Sequence, residues 1–321
     1  MDRSLPPFVE PLGAGIYAID TGFMRPRFDA AYLIVESGRA AFIDTGTNHA
    51  VPRHLEALTA LGISRDAVDW VIPTHVHLDH AGGVGMLMRE LPGASLFVHP
   101  RGARHLIDPS KLYAGALQVY GADEMERSYG RLLGVDVQRV VSSTDGMTID
   151  LVGRPLLAVD TPGHARHHHC IWDAASHAWF SGDTFGLSYR EFDTARGSFA
   201  LPTTTPVQFE PDALKASINK LLARAPRQVF VTHYGRVVDP ERVGAELIEQ
   251  IDAMVAIAIP LRDHPHRHDA LKAALGDLYV ARAAAHGVTF DRARTLELLA
   301  IDIELNAQGV GIWLDRPRKP G

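Results

Sequence analysis

Thr74-His75-Val76-His77-Leu78-Asp79-His80 places four ligand-grade side chains within six residues, between an apolar run and a glycine turn. Seventeen histidines make some crowding inevitable, yet chance does not account for two His, an Asp and a third His at this spacing in this setting. In an extended segment residues 75, 77 and 79 project to one side, and His80 swings away where Ala81-Gly82-Gly83-Val84-Gly85 opens a helix. The amino end of that helix would favour an anion. Three more ligand types follow beside Gly or Thr at apparent strand ends: His164 in Thr161-Pro162-Gly163-His164, Asp183 in Ser181-Gly182-Asp183-Thr184, and His233 in Val231-Thr232-His233-Tyr234-Gly235. Seven such groups are enough for two divalent metal ions. Imidazole and carboxylate without thiolate suit zinc, with iron or manganese as the alternatives, and argue against a closed structural zinc site.

The chain contains two similar halves. Ala41-Phe42-Ile43-Asp44-Thr45 and Trp179-Phe180-Ser181-Gly182-Asp183-Thr184 are apolar strands ending in Asp, each followed by a candidate helix and a strand ending in Thr-His. The Asp-to-His interval is 31 residues from Asp44 to His75 and 50 from Asp183 to His233. This predicts an α/β fold, a four-layer αββα sandwich in which two sheets pack face to face and offer strand-end ligands to one cleft. Asp44 is placed to orient a ligand histidine rather than to bind a metal itself.

These motifs resemble those of the metallo-β-lactamase fold superfamily, whose dinuclear hydrolases carry His-x-His-x-Asp-His, then a lone His, a bridging Asp and a final His. The resemblance covers about residues 14–238. It implies that His75, His77 and His164 hold one ion, that Asp79, His80 and His233 hold the other, and that Asp183 bridges them. It further implies Asp79 as proton carrier and His168 as support for a ligand, like the later His of the family's Thr-Pro-Gly-His loop. Tyr234 is a second catalytic candidate, as hydrogen-bond donor to an oxyanion. A helical C-terminal module resembles the glyoxalase II-like branch, but the basic and asparagine residues by which those enzymes contact glutathione have no match here.

Composition sets the remaining bounds. At 321 residues and 46% hydrophobic, the chain accommodates a core domain over 1–239 and a helical module over 240–321. Its net charge of −6 lacks a basic block, so nucleic acid is not an expected partner and a small-molecule substrate is. No targeting or membrane-spanning pattern is found, which points to a cytoplasmic protein without a membrane partner. The helical module is a candidate homodimer face. Cys170, the only cysteine, reads as a strand interior.

Periodicity predicts first-sheet strands at 16–19, 31–35, 40–43, 68–72 and 96–98, with a helix at 51–61. Second-sheet strands are predicted at 137–141, 147–151, 156–159, 168–172 and 178–180, and C-terminal helices at 243–259, 268–286 and 292–305. Residues 109–133 read as a helical insertion. The 185–206 segment, with Tyr189 and Arg190, reads equally as a lid or a packing loop. His264, His266 and His268 read as solvent-exposed. The leading activity is hydrolysis of a carboxylic ester, lactone or thioester; phosphodiester cleavage, a redox diiron role and metal-free binding follow in that order.

Overall fold

The computed structural model describes residues 4–205 and 208–316, without the side chains of Val119 and Tyr120. Pro206, at the end of the predicted lid, lies outside the described residues, as do residues 1–3 at the start of the first predicted domain and 317–321 at the end of the second. The chain divides into two compact units that interleave in sequence. The first takes the chain through Asp160, His167–Gly182 and Arg227–Arg236; the second takes Thr161–Arg166, Asp183–Pro226 and the chain from Val237 onward.

In the first unit a seven-stranded sheet runs in chain order through β1 (Val9–Gly13), β2 (Ile16–Asp20), β3 (Ala30–Glu36), β4 (Arg39–Ile43), β5 (Val68–Ile72), β6 (Ser95–Val98) and β7 (Val140–Ser142). The first four pair antiparallel through short turns, and β4 to β7 pair parallel. A parallel step needs a crossover, and the amphipathic helix Val51–Leu61 supplies one between β4 and β5. A second sheet has the order β13-β12-β11-β10-β9-β8, formed by β8 (Thr148–Leu151), β9 (Arg154–Asp160), β10 (His169–Asp173), β11 (Ala178–Gly182), β12 (Gln228–Val231) and β13 (Gly235–Val238). The parallel pairing of β11 with β12 repeats that of β4 with β5, so the two similar halves seen in the sequence are two similar strand pairs.

Alternation along β3 explains the layers. Leu33 joins a core with Val51, Leu58, Val84, Leu87, Ala103 and Leu106 from the helices on that face. Tyr32, next in the chain, turns the other way: its ring lies 5.3 Å from Phe180 and 5.4 Å from Phe230, and its hydroxyl donates to Val231 O at 2.5 Å. The two mixed sheets with flanking helices are the α/β sandwich expected. Within the second unit the C-terminal helices are Pro240–Ala258, Arg267–His286, Arg292–Leu298 and Ala300–Asp315. Among the described residues no helix is long and apolar enough to cross a membrane.

Two expectations about these elements need correction, and two further elements were not read from the sequence. The 137–141 strand begins later, at Val140, and pairs with β6 in the first sheet rather than joining the second. Val9–Gly13 and the helix Pro100–Ile107 lacked a readable pattern, being respectively edge strand and an eight-residue element. The predicted 292–305 helix is two, broken at Leu299, whose φ of −102° and ψ of 11° lie outside the helical range.

His54 is a core histidine. It donates Nδ1–H to Ala50 O at 2.8 Å and packs on Phe42, and burial pushes its pKa down to about 4. The unfolded chain takes up this proton near its ordinary value of about 6.5, while the native state resists until about 4. Its contribution is therefore complete above 6.5 and is lost as pH falls toward 4, on the order of 3 kcal/mol. Denaturant unfolding of wild type and His54→Leu at matched metal content should show a smaller stability loss between pH 7 and pH 5 in the variant. Equal losses would show that His54 is not buried neutral.

Candidate metal centre

β4 ends at Ile43, and Asp44 leaves it in the left-handed region with a φ of 56°, a conformation that Asp tolerates better than most residues. Its buried carboxylate then meets the ends of two other strands. Oδ1 accepts from Thr74 N at 2.7 Å, while Oδ2 accepts from His80 Nδ1 at 2.9 Å and from Thr232 Oγ1 at 2.8 Å. Thr74 precedes His75 and Thr232 precedes His233. One carboxylate thus ties together the ligand-bearing ends of β5 and β12 and the one-turn helix Leu78–Ala81.

The hydrogen bonds fix the tautomers. His80 spends its Nδ1–H on Asp44, and His233 donates Nδ1–H to Phe28 O at 3.2 Å. Each then turns an Nε2 lone pair toward Asp79 Oδ2, at 3.7 Å from His80 and 3.4 Å from His233. The ring of His80 lies 4.0 Å from that of His75, whose Nε2 is 2.7 Å from His77 Nδ1. The first unit therefore gathers His75, His77, Asp79, His80 and His233, with His77 and Asp79 partly exposed and the rest buried.

The alternation predicted for 75, 77 and 79 ends early. His77 is the last extended residue, with φ −67° and ψ 153°, and Asp79 already lies in the helix with His80. Asp79 consequently groups with His80 and His233, and His77 with His75. Leu78–Ala81 and Val84–Glu90 are short helices of four and seven residues.

The second unit brings His164 and Asp183 together, with His164 Nε2 3.2 Å from Asp183 Oδ2. Thr203 Oγ1 lies 2.9 Å from His164 Nδ1 and 3.2 Å from Asp183 O, so it can accept from the imidazole and donate to the carbonyl. Gly163 has a φ of 132°, and a Cβ there would meet Leu214 N at 2.2 Å, so the loop that carries His164 needs glycine. Gly182, before Asp183, is equally confined within the first unit: a Cβ would stand 2.4 Å from Thr74 Oγ1 and 2.7 Å from His168 Nε2.

Other sequence candidates have settled places. His168 is buried with its ring stacked 4.8 Å from His75. Tyr234 is buried. Tyr189 gives its hydroxyl to Asp302 at 3.2 Å, and Arg190 folds back on Ser188, which supports the packing reading of their segment. Cys170 is a buried strand residue. His268 pairs with Glu304 at 2.9 Å, and His264 and His266 are exposed. In the 109–133 insertion, helical as expected, Tyr129 packs 5.6 Å from Phe23 and Asn48 Nδ2 donates to Arg131 O at 2.7 Å.

Residues 24–233 match the metallo-beta-lactamase superfamily. That is well over half of the chain. The chain belongs to this superfamily. Among curated relatives it is 25% identical over 228 residues to the metallo-beta-lactamase fold-containing protein ST1585 of Sulfurisphaera tokodaii, covering 70% of this chain and 79% of that one. It is 24% identical over 240 residues to a hydroxyacylglutathione hydrolase of Salmonella paratyphi A, covering 69% and 78%. It is 27% identical over 187 residues to the atrochrysone carboxyl ACP thioesterase of Aspergillus fumigatus, covering 57% and 49%. The solved structure of ST1585 from Sulfolobus tokodaii superposes with a TM-score of 0.65 at 22% identity, over 93% of this chain and 98% of that one, and shows the same fold.

As a member of the metallo-beta-lactamase superfamily the protein is a metallo-hydrolase, and its donor chemistry fits a divalent cation. Asp79 Oδ2 and two imidazole lone pairs converge with no hydrogen to share from either ring, which is repulsive unless positive charge sits among them. Ligand atoms about 2.0–2.2 Å from a tetrahedral zinc stand about 3.3–3.6 Å apart, close to the 3.4 and 3.7 Å found. The ligand atoms of Asp79, His80 and His233 all lie within 4.8 Å of one another.

Thr203 and Asp29 escaped sequence reasoning. Thr203 sits in a Thr-rich run with nothing to mark one hydroxyl over another. Asp29 is fully buried, accepts from Thr21 Oγ1 at 2.9 Å, and is pushed up to about 7 by burial, with His233 and His80 opposing and Asp79 adding. Only an Asp preceding an apolar strand hinted at it.

Asp44→Ala leaves buried donors on Thr74, Thr232 and His80 without their acceptor. The expected result is a stability loss of about 3 kcal/mol or more by denaturant unfolding and metal affinity lowered about 10–100-fold by chelator competition. Unchanged affinity would remove Asp44 as the organiser of the centre.

Proposed function

We propose that this metallo-hydrolase cleaves a carboxylic thioester, with esters and lactones as neighbouring chemistries, using two divalent ions. In this reading His75, His77 and His164 hold one ion, Asp79, His80 and His233 the other, and Asp183 is shared. The observation that carries it is the convergence of the Asp79, His80 and His233 donors on one point, with both imidazoles locked from behind. Zinc is the proposed ion, with iron and manganese also admitted by these ligands. When bound, such a pair supplies Lewis acidity and lowers the pKa of water toward neutrality.

The chain's own groups account for the rest. Asp79 is partly exposed, so its carboxylate can exchange a proton with solvent or a leaving group while contributing to the ligand set. Tyr234 follows His233 directly and is assigned as donor to an oxyanion. The thioester preference is supported by two relatives whose names specify thioester substrates, a hydroxyacylglutathione and an acyl carrier protein conjugate. The net charge of −6 without a basic block weighs against nucleic acid as substrate. A cytoplasmic setting accords with a lone, buried cysteine.

Turnover of acyl thioesters should exceed that of matched esters, lactones and bis-nitrophenyl phosphate by about tenfold or more, a barrier difference of about 1.4 kcal/mol. Chelation should abolish it and zinc restore it. Fastest turnover of the phosphodiester would replace this reading. Elemental analysis should find about two ions per chain, and His77→Ala should lower both metal content and activity; full retention of both would break the ligand assignment. Tyr234→Phe should lower kcat by about tenfold or more, and a change within about twofold would remove the tyrosine from the reaction.

A further inference from the structure

Beyond Ile72 the chain leaves the sheet, and the carbonyls of Pro73 and Thr74 can no longer be met by a neighbouring strand of that sheet. One residue meets both. His169, the first residue of β10, donates its backbone N–H to Thr74 O at 3.0 Å, and its ring Nε2 lies 3.0 Å from Pro73 O. A carbonyl can only accept, so Nε2 carries the hydrogen and Nδ1 is left to accept from Ser143 Oγ at 2.9 Å. Phe97 stacks on the ring at 5.7 Å and His99 meets it edge-on at 6.2 Å.

We propose that His169 is a positioning residue that fixes the Pro73–Thr74 turn and thereby aims His75 at its metal ion. The proposal rests on the metal-site reading above and assigns a role that reading does not contain. Successive carbonyls held from one residue set the peptide planes on both sides of Thr74. The second of those planes contains the His75 nitrogen, so the direction in which the His75 side chain leaves the backbone is set with it. Asp44 holds the same turn from the other side through Thr74 N. Burial lowers the His169 pKa to about 4, so the ring stays in the neutral form these bonds require. Ser143 and His169 are both buried, at 2% and 1% exposed, so their contact is a brace and not a nucleophile pair.

Cobalt(II) affinity, measured by competition with a chromophoric chelator, and the visible spectrum of the cobalt-loaded protein test this without any substrate. His169→Leu keeps the backbone bond but strands Pro73 O, and should weaken cobalt binding about 10–100-fold and alter the spectrum. Gln and Asn separate positioning from bulk stability, since both are polar amides at the same cost of burial. The Gln amide reaches the place of Nε2 and the Asn amide stops at that of Nδ1. His169→Gln should stay within about threefold of wild type, with His169→Asn at least about tenfold weaker. Equal affinities for Gln and Asn, or an unaffected Leu variant, would overturn the proposal. A wild-type protein that binds no cobalt would instead sink the metal-site reading.

Discussion

The carboxylate of Asp44 is the constraint on which the first unit's ligand geometry depends. It lies where three segments distant in sequence must agree: the ends of β5 and β12 and the helix Leu78–Ala81. A buried carboxylate with no partners would be strongly destabilising, and three donors without their acceptor would be nearly as costly. Each side of the arrangement therefore requires the other. The arrangement also decides which nitrogen of His80 is available, because the proton on Nδ1 is committed to Asp44. Placement of the strands and orientation of this candidate ligand are one event.

The internal repetition of the chain gives this event its setting. Parallel pairs β4–β5 and β11–β12 both run a strand ending near an Asp beside a strand ending in Thr-His. The threonines of the two halves converge on the Asp of one half only. Asp44 binds Thr74 and Thr232, whereas Asp183, at the corresponding strand end, lies against His164. Equivalent positions have thus taken different work. The partners of each express the division: Asp44 accepts from donors at two strand ends and from His80, while Asp183 faces His164 Nε2 at 3.2 Å.

Much of this was legible in the residues. The seven candidate ligands, the two halves and the orienting role of Asp44 are local patterns, since spacing of 2 and 3.6 and an Asp at a strand end are written into consecutive positions. What was not legible depends on pairing. Val140–Ser142 has the same apolar pattern whichever sheet it joins, and only its partner β6 decides. Thr203 orients His164 because a distant loop returns to it, and no property of the Thr-rich run predicts that. The early turn into helix at Leu78 was hidden for another reason: a one-turn helix has too few residues to show a period.

The histidine run at 167–169 shows what separates a ligand from its support. Composition cannot distinguish the three rings from His75 or His80, and proximity cannot either, since His168 stacks on His75. The second ring nitrogen can. In His80 and His233 one nitrogen donates to an acceptor and the other faces a carboxylate with its lone pair, so something positive is called for. In His169 one nitrogen donates to a carbonyl and the other accepts from a hydroxyl, so nothing further is needed and the ring serves as a strut. His54 is a third kind, held by one bond inside an apolar core and kept neutral by burial. Assigning a histidine therefore means accounting for two nitrogens, and the sequence supplies at most the neighbourhood in which that account is made.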